Sequence, residues 1–92
     1  MWTFEVRTRE RVCFVDISRD VADLVRGAGD GAVVVFVPHT TAGVTINEDA
    51  DPSVRADLEM ALDRIVPGDL PFRHAEGNSD AHTKASLMGS SV

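Results

Sequence analysis

Three histidines are the first candidates for chemistry in this chain: His39, His74 and His82. His39 sits in the stretch PHTTAGVT. His74 and His82 lie eight residues apart in RHAEGNSDAHTKASLMGSS, residues 73–91. Between the latter two stand Glu76, Gly77, Asn78, Ser79 and Asp80, with no large apolar side chain. A segment so polar and so rich in small residues reads as a loop feeding a helix, not as core. Neutral imidazoles ligate zinc or a similar divalent ion, and three ligands with one open position make a catalytic arrangement. The spacing matches no local metal motif, so three loop histidines in structural hydrogen bonds are the alternative. Context raises the metal reading without deciding it: none of the rings lies on an apolar stripe, and each has small neighbours. The working expectation is that the two stretches meet in space and form one site.

Other residue types in the same stretches add to it. Glu76 or Asp80 could act as acid or base near a metal-bound water, or orient an imidazole from behind. The simpler roles are a solvated loop carboxylate for Glu76 and a helix cap for Asp80. Asn78 suits a turn or a ligand contact. Thr40, Thr41 and Gly43, with Gly89, Ser90 and Ser91, offer hydroxyls and unhindered N–H groups to phosphate oxygens. They lack the phosphate-loop signature and are otherwise ordinary strand and turn residues. Lys84 is the nearby cation, but a two-residue step on a helix turns it away from His82. The acidic run 47–51 lacks the calcium-loop pattern and reads as a solvated turn.

The elements that must position these residues follow from periodicity. Residues 2–9 alternate, with Trp2, Phe4 and Val6 on one face, and residues 12–17 alternate again, which predicts a hairpin. Ser18 is placed to cap a short helix with Val21, Leu24, Val25 and Ala28 on its inner face, ended by Gly27 and Gly29. Residues 31–38, GAVVVFVP, read as a central strand that delivers His39 at its end. Residues 44–46 resume as a strand. Asp51 caps and Pro52 opens the clearest helix, 52–65, with Val54, Leu58, Leu62 and Ile65 on one stripe. Pro67-Gly68 stops it. Ser79 or Asp80 caps a last helix carrying His82.

The bulk numbers bound the answer. Ninety-two residues imply one domain, 1–92, with a thin margin of buried surface that oligomerisation would widen. The composition is globular, 43% hydrophobic and 26% charged, and the net charge is −6. Nucleic acids and anionic membranes call for basic patches, so neither is an expected partner. The single cysteine, Cys13, sits in an apolar run as a buried thiol and permits no intrachain disulfide, which fits a cytoplasmic setting. No apolar run approaches a bilayer's thickness, and no signal core opens the chain.

The stretches HTTAGVTINEDADPSVRADL and FRHAEGNSDAHTKASLMGSSV resemble the two signature stretches of the YjbQ-like family. The resemblance implies an α+β fold, a sandwich of two mostly antiparallel sheets with two main helices, assembled as a homotrimer. It also implies that family chains run on past the position of Val92 into further strands, with a Gly-Thr-Trp-Gln stretch, that this sequence lacks. An open sheet edge would then remain. The activity linked to the family is a secondary thiamine-phosphate synthase reaction, joining a pyrimidine pyrophosphate to a thiazole phosphate with release of pyrophosphate. That chemistry suits a divalent metal, zinc or magnesium, and a small phosphorylated metabolite as partner. On this reading the metal ligands fall on His39, His74 and His82, the catalytic pair on His74 and Glu76, and the ligand-binding residues on Thr41, Asn47, Asn78 and Ser79. A non-catalytic ligand-binding or assembly module is the competing reading.

Overall fold

The computed structural model describes all 92 residues, which separate into two compact units, Met1–Val33 and Val34–Val92. The first unit contains α1 (Ser18–Val25). The second contains α2 (Pro52–Ile65) and α3 (Ser79–Met88).

Helix α1 begins where the sequence predicts but is capped differently. Ser18 is its first helical residue and Ile17 its cap. The Ser18 N–H donates to Asp16 Oδ1 at 2.8 Å, so the aspartate satisfies one orphan donor at the helix start, and no side chain makes the capping bond expected of the serine hydroxyl. Past the helix, Gly27 and Gly29 adopt φ of 81° and 84°, the left-handed conformation that only glycine takes without strain. Cys13 is half-buried, less enclosed than its apolar surroundings predict.

Helix α2 has the predicted bounds. Asp51 Oδ1 accepts from the Ser53 N–H at 2.9 Å and from the Ser53 hydroxyl at 2.8 Å. These two bonds, the backbone one foremost, hold the Asp51 carboxyl below the usual aspartate range. Pro52 in the first turn lacks an N–H that would have gone unpaired anyway. The helix ends as the Val66 N–H reaches back to the Leu62 carbonyl at 2.8 Å. Along its stripe Val54, Leu58 and Leu62 are half-buried, whereas Ile65 is exposed. Val66, just beyond, is the one fully buried apolar residue.

The two-sheet sandwich is not what the chain forms. It has three helices and no sheet, and the only strand-like pairing is an isolated antiparallel bridge between Phe36 and Ser91. There Val35 and Val92 exchange both N–H···O bonds, at 2.8 and 3.1 Å, and the Val37 N–H donates to the Ser90 carbonyl at 2.8 Å. The expected hairpin of residues 2–9 and 12–17 is absent, and residues 31–38 and 44–46 do not build a ladder. The physical reason is that alternation marks a face in need of cover, while a ladder needs a neighbouring backbone in register. Residues 2–9 have no such neighbour, and Trp2, Phe4 and Val6 stay exposed, as do Val34 and Phe36 in the second unit. No helix is long and apolar enough to cross a membrane.

Helix α3 is unusual in what it hides. Its buried residues are Asp80 and Lys84, while Leu87 is exposed. Asn78, not Ser79 or Asp80, is its cap residue, and it makes no side-chain capping bond. The helix closes on Gly89, whose φ of 89° requires glycine and whose N–H donates to the Ala85 carbonyl at 3.0 Å.

Candidate functional site

The sequence brings its two polar stretches together within the second unit. The bridge at Phe36 and Ser91 places the residues after α3 beside the segment that leads into His39. A second tie follows: the Val44 N–H donates to the Gly89 carbonyl at 3.0 Å. Between these ties His39, Thr40 and Ala42 face His82, Ala85, Ser86, Gly89 and Ser90 across one open cleft of about 560 Å³. An adjoining cleft shares His39, Thr40 and Ser90 and adds Phe36, Val37 and Pro38.

The neutral His39 ring has one tautomer favoured by its hydrogen bonds. The Thr41 N–H donates to His39 Nδ1 at 3.1 Å, and Thr41 Oγ1 lies 3.1 Å from the same nitrogen. A backbone N–H can only donate, so Nδ1 must be the unprotonated acceptor. The neutral ring therefore carries its hydrogen on Nε2. A ring in that form offers an N–H donor to an oxygen. Metal-ligating histidines usually show the opposite pattern, in which one nitrogen binds the ion and the other donates to a carbonyl or carboxylate.

His82 stands in the second turn of α3, and its carbonyl accepts from the Ser86 hydroxyl at 3.0 Å, which fixes Ser86 one turn on along the same face. On its other side is His74: the two rings meet edge to face with centroids 5.5 Å apart and planes at 84°. His74 Nε2 lies 3.7 Å from Glu76 Oε2, an ion-pair distance if the ring is protonated but too long for a hydrogen bond.

His82 is thus the common member. It shares the cleft with His39 and a ring contact with His74. No group of three or more His, Cys, Asp or Glu side chains stands where it could hold one metal ion. Thr41 acts on His39 as described. Asn47 is exposed, with Oδ1 accepting from the Glu48 N–H at 2.8 Å, and it lines neither cleft. Asn78 and Ser79 also lie outside both clefts. The Asn78 Oδ1 atom is buried without a hydrogen-bond partner, and the Ser79 carbonyl accepts from the Thr83 hydroxyl at 2.8 Å. Ser86 is the cleft residue that the sequence reading passes over. A signal for it exists, since it follows His82 by one helical turn.

Comparison with known proteins agrees over nearly the whole chain. The family model described as UPF0047 protein YjbQ-like matches residues 2–92. The UPF0047 protein MJ1081 of Methanocaldococcus jannaschii is 44% identical over 93 residues, covering 99% of this chain and 67% of its own length. Among solved structures, the conserved hypothetical protein TT1486 from Thermus thermophilus superposes with a TM-score of 0.83 at 46% identity, covering 87% of this chain and 64% of that one. The hypothetical protein APE1520 from Aeropyrum pernix gives 0.87 at 31% identity, covering 95% and 67%. The chain therefore spans about two thirds of the length of these relatives. With a family model matched from residue 2 to residue 92, the chain belongs to the YjbQ-like UPF0047 family.

Proposed function

We propose that the cleft between the His39 stretch and α3 binds a phosphorylated small molecule. The observation that supports this most is the donor set of one cleft: His39 in its Nε2–H form, His82, and the hydroxyls of Thr40 and Ser90, the Ser86 hydroxyl being given to the His82 carbonyl. Hydroxyls and imidazole N–H groups suit phosphate oxygens, and none of them adds a carboxylate that would repel the anion. The overall charge of −6 makes such a local donor set the more necessary.

The reaction consistent with this reading is the thiamine-phosphate-forming transfer, in which the ring nitrogen of a thiazole phosphate bonds to the methylene carbon of a pyrimidine pyrophosphate as that carbon's C–O bond breaks and free pyrophosphate leaves. The donors would stabilise the charge gathering on the departing pyrophosphate. His74 and Glu76, 3.7 Å apart, are the acid–base candidates, Glu76 stabilising His74 when it is protonated. The discriminating experiment is a thermal-shift panel of phosphometabolites run beside a product assay with the two thiamine precursors and Mg²⁺. A ligand raises the melting temperature whether or not it reacts. Binding with turnover that His74→Ala abolishes supports the enzyme. Binding without turnover supports a non-catalytic ligand-binding module. No shift with any phosphorylated compound removes the reading.

A divalent ion is the second reading, motivated by the proximity of two imidazoles, His74 and His82, with ring centroids 5.5 Å apart. His74 and His82 would hold it, His39 joining them only on losing its Nε2 hydrogen, and it would supply positive charge to phosphate oxygens. Bound metal below about a tenth of an equivalent in unchelated protein removes this reading. Assembly as a homotrimer belongs to the same proposal, supported by the exposure of Val34 and Phe36, and is tested by light scattering during gel filtration.

A further inference from the structure

The charged residues buried on α3, Asp80 and Lys84, line neither cleft. Asp80 and Lys84 are four residues apart and so share one face of the helix. Both are buried, at 2% and 8% exposure. Lys84 Nζ meets Asp63 Oδ1 of α2 at 2.5 Å, a contact that spans 21 residues of sequence. Asp80 packs toward the turn after α2, where a Cβ on Gly68 would lie 3.4 Å from its Oδ2. The tie from Val44 reaches Gly89, the residue that caps the end of α3. His82 lies between Asp80 and Lys84 in sequence and is turned from their face by the helical step.

An apolar contact would not fix this helix as firmly. Its outward Leu87 is exposed, and it buries no large apolar side chain against α2. Apolar packing is non-directional, whereas a buried ammonium bonded to a carboxylate of another helix constrains both the rotation and the height of its own helix. A lysine stripped of water loses most if its partner goes, because the charge is left buried.

We infer that Lys84 is a positioning residue for the cleft: through Asp63 it pins α3 against α2 and so holds His82 toward His39 and His74. This inference rests on the reading of the cleft as an anion site only for its binding consequence, because the ring geometry is measurable without ligand. The experiment compares wild type with Lys84→Met, Lys84→Arg and Asp63→Asn. Asp63→Asn alters the exposed partner, so it reports even if Lys84→Met does not fold. Two quantities are read: the ring-to-ring nuclear Overhauser effect between His74 and His82, and the dissociation constant for inorganic phosphate.

In Lys84→Met and Asp63→Asn the ring-to-ring signal is expected to fall by at least half, and phosphate affinity at least fivefold. Lys84→Arg, which keeps the charge, restores both to within twofold of wild type. A mere loss of stability would leave the folded fraction with its ring contact intact. An unchanged ring-to-ring signal in Asp63→Asn, or a Lys84→Arg variant no better than Lys84→Met, overturns the inference. If wild type binds no phosphate while the ring signal behaves as expected, the ligand reading fails and the positioning role stands.

Discussion

Gly43 lies so close to Gly89 that a Cβ built on it would stand 2.7 Å from the Gly89 carbonyl oxygen and 2.7 Å from Met88 Cβ. The two glycines are where the His39 stretch touches the end of α3, one by lacking a side chain and the other by taking φ of 89°. Gly43→Ala must push backbone against backbone. It is expected to cost about 1–3 kcal/mol, in the range of other overpacking changes, read as a lower urea midpoint. Gly31→Ala, with open space around it, is the control and is expected to be neutral or stabilising.

The Asp51 cap gives α2 a pH dependence of known sign. Its carboxyl titrates lower in the folded chain than in the unfolded one, so its contribution is complete above the unfolded value, ~3.9, and disappears as pH falls through the lower folded value. Asp51→Asn keeps an acceptor for Ser53 but does not titrate. Helix content followed by circular dichroism from pH 6 to pH 2 is expected to fall less steeply in Asp51→Asn than in wild type.

The bond from the Thr41 N–H fixes His39 with its hydrogen on Nε2. Long-range ¹H–¹⁵N correlation at pH 8 is expected to show the Nε2–H tautomer for His39. Thr41→Val removes only the hydroxyl and keeps the N–H donor, so the tautomer is expected to survive with a reduced preference.

Chelation separates the two ligand readings. If the donors alone hold phosphate, treatment with excess EDTA followed by dialysis leaves the phosphate-induced thermal shift within about 1 °C, since only a ligand of the native state moves the midpoint. Loss of the shift, with recovery on adding zinc or magnesium, would favour the ion.

Helical information is local and therefore readable. Asp51-Pro52 and the stripe Val54, Leu58, Leu62 specify α2 from end to end, because a helix satisfies its own backbone within four residues. The cap of α1 escapes the sequence because Asp16 takes the Ser18 N–H, which draws Ser18 into the helix as its first residue, and spacing does not reveal that the aspartate does so. The strands are not readable in the same way. The alternation of Trp2, Phe4 and Val6 describes side chains, while a sheet is made by partner backbones elsewhere in the chain. The site is half legible. Composition alone suggests that the two histidine stretches meet, and they do meet at His82. Nothing in the sequence shows that Lys84 goes inward to Asp63, since a pairing across 21 residues leaves no periodic trace.

The claim that matters most is that His39 and His82 serve one ligand. It is tested by titrating inorganic pyrophosphate into ¹⁵N-histidine-labelled protein and following each imidazole. The expected result is that the His39 and His82 resonances move together along one saturable curve, with a common dissociation constant that Ser90→Ala weakens. If the two rings follow different curves, or neither moves while the protein remains folded, the cleft is not a shared anion site.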